Sequence, residues 1–192
     1  MALSNRGRKL ARKNWSHLEE IDLWDLEDSR IFALVDSCCN SRCMSVKAER
    51  LFNTKLSKNG LHCKRVSNKK ATYTGLGGIR MVGSDEVPSL IPQGDGSYFP
   101  NTLKVNIVEG NNPLLLDDHW LSAMNIVIDF KKGEIWRQSL VGWRQLPTYR
   151  AKKSGMLCVC ISDPAGYSIS CRERSKPLGD TWEKAASFDK HS

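Results

Sequence analysis

The sequence predicts an all-β fold, a small β-barrel with one short helix near its C-terminal end. Three observations predict it. Short apolar or alternating runs recur along the chain, among them Ile31-Phe32-Ala33-Leu34-Val35 and residues 103–108. Breaks rich in glycine, proline, asparagine or lysine separate these runs. Late in the chain, Asp117 stands where a helix cap belongs, ahead of Trp120, Leu121 and Met124 at inward-facing spacing.

Taken in order, residues 1–16 lack periodicity and carry Arg6, Arg8, Lys9, Arg12 and Lys13 with no acid, which reads as a disordered basic leader. The apolar run at 31–35 stops at Asp36 and reads as a buried strand. Residues 45–56 hold Val46, Leu51 and Leu56 among polar neighbours, which suits a short helix or an extended surface segment. Residues 63–74 read as a strand. Gly75, Leu76, Gly77 and Gly78 suit a turn or loop tip, since glycine accepts positive φ at no steric cost. A returning strand over 79–87 is expected to end at Pro88, with 92–100 as a loop. Leu114, Leu115 and Leu116 form a second buried run after the turn at Gly110-Asn111-Asn112-Pro113. A hairpin about Lys131, Lys132 and Gly133 follows the helix, with further strands at 139–146 and 156–161. The domain is expected to span 17–161, with 162–192 as a polar tail.

The chain's 192 residues suffice for one domain with a real core. No apolar run approaches the roughly 20 residues of a membrane helix, and no apolar signal core follows Met1. Membrane spanning and secretion are therefore not expected, and an intracellular, cytoplasmic location is. The net charge of +8 permits binding to a polyanion, and the basic leader is the candidate arm for nucleic acid. The seven cysteines show C-C-x3-C and C-x-C spacing rather than the C-x2-C of zinc sites. Reduced thiols are expected, and neither a metal nor another cofactor.

Function rests on an ordered series: an apolar strand ending in Asp36-Ser37, glycines some forty residues later, an alternating strand, an apolar triplet, a short helix and Ile126-Val127-Ile128-Asp129-Phe130. Over residues 30–161 this series resembles the retroviral-type (retropepsin-like) aspartic protease domain of LTR-retrotransposon polyproteins. The family's first signature, apolar residues followed by Asp-Ser/Thr-Gly, is similar to Ala33-Leu34-Val35-Asp36-Ser37-Cys38-Cys39, with Ser41 in the place of a later Ser or Thr. Its flap glycines look like Gly75, Gly77 and Gly78, with Leu76 among them, and its second signature like Leu114-Leu115-Leu116-Asp117.

The resemblance implies an aspartic endopeptidase that cleaves polyprotein as a homodimer, with Asp36, Ser37 and Cys38 at the catalytic loop and residues 75–78 closing over the substrate peptide. Two carboxylates about 3 Å apart cannot both ionise, so they share one proton. One then takes a proton from water while the other donates to the scissile carbonyl. One chain supplies one such Asp, so a second copy must supply the other. Two departures count against activity. Cys38 stands at the family's first glycine, where a Cβ and thiol need room. Asp117 stands at the second, where it adds a like charge near the loop or caps the helix. Two other readings stay open: a non-catalytic β-barrel dimerisation or interaction domain, and a cysteine nucleophile at Cys38 or Cys39 served by His62 or His119.

Overall fold

Strand β2 (Ile31–Val35) is apolar at all five positions because both of its faces are covered. Ile31, Ala33 and Val35 point into the main core, and Phe32 and Leu34 into a second cluster with Ile21, Ala151, Cys158 and Cys160. The computed structural model describes residues 15–37, 39, 41–73 and 79–167. The expectations for Cys38, for Gly75, Leu76, Gly77 and Gly78, for the leader up to residue 14 and for the tail beyond residue 167 lie outside the described residues.

The other strands are β1 (Glu20–Ile21), β3 (Cys43–Ser45), β4 (Lys64–Ser67), β5 (Ala71–Tyr73), β6 (Ile79–Pro92), β7 (Tyr98–Val108) and β8 (Leu115–Leu116), followed by β9 (Ile126–Asp129), β10 (Glu134–Ser139), β11 (Gly142–Leu146), β12 (Thr148–Ala151) and β13 (Leu157–Ser162). Helix α1 spans Val46–Ser57 and helix α2 spans Asp118–Ala123. A ring closes through β13, β2, β8, β3, β7, β6 and back to β13. The last link is a single parallel pair, Ser162 with Leu90. Strands β12 and β1 extend the sheet beyond β13, and β9, β10 and β11 form a separate antiparallel meander. The expected all-β barrel with a short late helix is the architecture found.

Several elements differ from the sequence expectation, while of the two readings of 45–56 the helix is the one found. Ser45 caps it by accepting the Ala48 amide at 3.2 Å, and Ala48, Leu51, Phe52, Lys55 and Leu56 line one buried face at helical spacing. Strand β6 does not end at Pro88 but runs on to Pro92, and the loop expected at 92–100 shrinks, since β7 begins at Tyr98. The reason is the side on which the prolines fall. The Leu90 carbonyl accepts from Asp163 and so points away from β7. Pro88, two residues earlier, shares that side, and Pro100 lies opposite Leu90. Neither missing amide interrupts the β6–β7 ladder. The strand expected at 63–74 divides into β4 and β5, and Ser139 ends β10 rather than opening β11. At the other end of the domain, Trp15 is buried and its indole donates to the Phe130 carbonyl at 3.0 Å.

Gly83 follows a bulge in β6, where the register to β7 shifts between Met81 and Gly83. A Cβ there would lie 2.6 Å from the Ser67 carbonyl and 2.6 Å from the Arg65 guanidinium. Gly83→Ala must therefore push β4 off β6. Its expected cost is about 1–3 kcal/mol, read as a lowered urea midpoint at unchanged slope. An unchanged midpoint would show that β4 gives way freely.

Beneath that bulge, Arg65 pairs with both Glu49 and buried Asp85. Burial, and then the hydrogen bond and charge of Asp85, hold the Glu49 carboxyl above its usual range, with Arg65 opposing. A raised folded pKa favours the fold below the unfolded carboxyl pKa, and that contribution is lost as pH rises through the folded value. The stability of Glu49→Gln relative to the parent should therefore increase from about pH 4 to about pH 7. A difference flat with pH would remove this coupling.

Candidate active site

The loop after β2 carries Asp36, and the second apolar run fixes where it emerges. Strand β8 lies parallel beside β2, with Leu34 against Leu115 and Val35 against Leu116. The Leu34 amide donates to the Leu114 carbonyl at 2.9 Å, and the Asp36 amide to the Leu116 carbonyl at 3.2 Å. Asp36 thus leaves a fully buried strand with its backbone already held. It is half-buried, Ser37 is exposed, and the Cys39 amide donates to the Asp36 carbonyl at 3.0 Å.

Three elements brace the rest of the loop. From α2, the Asp117 carboxylate accepts the Trp120 amide at 3.0 Å as helix cap, and the Arg42 amide at 3.2 Å. The Arg42 guanidinium lies 3.1 Å from the same carboxylate. At the same end of α2, the Asp118 amide donates to the Cys39 carbonyl at 3.3 Å. From β7, the Asn106 amide group donates to the Ser41 hydroxyl at 2.7 Å and the Asn106 backbone to the Arg42 carbonyl at 3.0 Å. Ser84 on β6 donates in turn to the Asn106 side chain at 2.9 Å. A loop fixed in this way presents its acidic side chain from a rigid support, which carboxylate chemistry requires.

Two cysteines share this loop. The Cys39 thiol donates to the Ser41 carbonyl at 3.0 Å. The neighbouring Cys43 thiol pulls Cys39 down to about 7, against burial and the nearby charges of Asp36 and Asp117. Cys43 is pushed far above the usual thiol range by Cys39 and by its burial. His62 and His119 are exposed, and neither is among the groups acting on Cys39. Among the described residues, no cluster of three or more His, Cys, Asp or Glu is placed to hold a metal ion.

Of the residues singled out from sequence, the structure brings together Asp36, Ser37, Ser41 and Asp117 around one loop. The two readings of Asp117 resolve in favour of the cap, with a cation added: it caps α2 and pairs with Arg42. Sequence reasoning did not find Arg42 or Asn106. Their partners lie 75 and 65 residues away, and no local spacing signals either contact.

No family model matches the chain, and no curated protein matches it. Among solved structures, it is similar to the retroviral protease-like domain of Ddi1 from Leishmania major, with 20% identity over 60% of this chain and 83% of that one, at a TM-score of 0.35. Among the described residues, no helix is long and apolar enough to cross a membrane.

Proposed function

We propose that Asp36 is one half of an aspartyl dyad, completed by the same residue of a second copy, and that the assembled site hydrolyses peptide bonds in a retrotransposon-type polyprotein. One observation carries this reading. A half-buried carboxylate stands at the exit of a buried strand, on a loop tied to Leu116, Asp117 and Asn106. The two carboxylates would hold one proton between them. One would activate water, and the other would protonate the scissile carbonyl. With cysteine at position 38, the parent chain is expected to be weak or silent. Whatever cleavage it shows on an apolar-rich peptide should peak in mildly acidic solution. It should fall at least about a hundredfold in Asp36→Asn, which cannot share the proton. Activity that survives Asp36→Asn but not thiol alkylation would replace the dyad with a cysteine nucleophile.

A specific observation also favours the second reading, a non-catalytic interaction domain. The outer face of the β9–β11 meander exposes Val127 at 52% and Trp143 at 50%, and Phe130 in the turn after β9 is 54% exposed. Val127 lies directly across from Trp136. Such a strip is a docking surface by composition. If no variant cleaves peptide but Asp36→Asn still weakens self-association, the interaction domain is the function.

A further inference from the structure

We propose that the hairpin tip Leu140-Val141, with Trp143, Arg137 and Arg144 behind it, docks the domain peripherally on an anionic lipid surface. This goes beyond both readings above and depends on neither.

Leu140 and Val141 alone join β10 to β11, between the paired Ser139 and Gly142. Leu140 is 107% exposed and Val141 76%. Tip positions of this kind usually hold small polar residues, and the backbone asks for glycine only at Gly142, where φ is +112°. Both aliphatic side chains lie outside every core cluster, so the fold does not account for them. Behind the tip the hairpin is graded rung by rung. One rung behind the closing pair, Trp143 lies across from Gln138 and is half-exposed. On the next rung Arg137 lies across from Arg144, about 7 Å behind the closing pair at the usual rise of a strand. Like charges placed opposite each other are unfavourable. Arg144 is offset by Asp95 at 3.2 Å. The Arg137 guanidinium stacks 3.8 Å from the centre of the Phe99 ring. Among the described residues no carboxylate pairs with it, and its buried Nε lacks a hydrogen-bond partner.

A bilayer surface presents the complementary groups in the same order. Acyl chains take the aliphatic tip, the interface takes the indole, and anionic phosphates take the arginines. A phosphate at Arg137 supplies the negative charge that the chain leaves out. A second copy is a poorer occupant, because a stable interface needs roughly 800 Å² from each partner and a two-residue tip offers far less. Single-stranded nucleic acid would stack on Trp143 but has no use for Leu140 and Val141.

The test floats the full-length chain with vesicles of phosphatidylcholine and about one-third phosphatidylserine at low salt. The parent should bind. Leu140→Asp combined with Val141→Asp should bind at least about tenfold more weakly, and Arg137→Gln about fivefold more weakly. The basic leader can hold the chain to anionic lipid by charge alone, so both variants leave it intact. The tip substitutions fall on exposed side chains and should leave the urea midpoint unchanged. As a second measurement, lipids brominated on the acyl chains should quench tryptophan emission in the parent and much less in Trp143→Phe. A tip variant that binds vesicles like the parent, or quenching unchanged in Trp143→Phe, overturns the proposal. So does a dimer formed without lipid, or a complex with single-stranded RNA, that the parent makes and the tip variant does not. Peptide hydrolysis plays no part in the readout, so the proposal stands or falls separately from the dyad.

Discussion

Replacing Asp117 with alanine or glycine is expected to destabilise the protein by about 2–4 kcal/mol, without gain of function. The resemblance to retropepsin-like domains places glycine at this position, so the substitution to glycine restores a motif. The geometry argues that the restoration is harmful. Asp117 is 3% exposed and its carboxylate serves three donors: the Trp120 amide, the Arg42 amide and the Arg42 guanidinium. Removing it uncaps α2 and leaves a partly buried cation facing a gap. Urea unfolding of both variants measures the loss, and Asp117→Asn, which keeps the cap but not the charge, should fall between them and the parent. A midpoint unchanged in Asp117→Gly would mean that the carboxylate contributes nothing and that Arg42 finds water instead.

Cys38→Gly is expected to act in the opposite direction and to raise peptide cleavage by at least tenfold over the parent. Position 38 lies between Asp36 and Cys39, and glycine there removes a Cβ and a thiol near the residue that the proposed dyad would pair with its own copy. Asp117 and Cys38 both stand where the resembled family has glycine, but only Cys38 follows closely on the aspartate of the proposed dyad. Two glycine replacements that look alike in the sequence therefore have different expected consequences: one is built into the fold, and the other is expected to obstruct the proposed site. Gain of activity in Cys38→Gly, lost again in Cys38→Gly combined with Asp36→Asn, is the expected pattern. A parent chain that already cleaves robustly would show that the cysteine is no obstacle.

How much of this was legible depended on whether a role is local. The continuous run from Ile31 to Val35 announced a strand covered on both faces, and Leu114, Leu115 and Leu116 announced its neighbour, because burial alone sets those residues. The Asp117 cap was legible for the same reason, since its first acceptor role reaches only three residues along the chain. Strands β1 and β3, two and three residues long, were not, because only partners distant in sequence make them strands. Pro88 misled because a proline stops a ladder only when its missing amide faces the partner. Arg42 and Asn106, which hold the loop in place, carry no pattern that a reading along the chain can detect.

In the proposed mechanism each chain carries half a site. The rate at which Cys38→Gly cleaves an apolar-rich peptide, followed as the protein is diluted, tests it most directly. Two half-sites predict a rate that is second order in chain at low concentration and becomes first order once the dimer saturates. Mixing in an excess of chains carrying Asp36→Asn should suppress it further, because mixed dimers hold only one functional aspartate. A rate that stays first order on dilution and is indifferent to added Asp36→Asn chains, or no cleavage at any concentration, would contradict the claim.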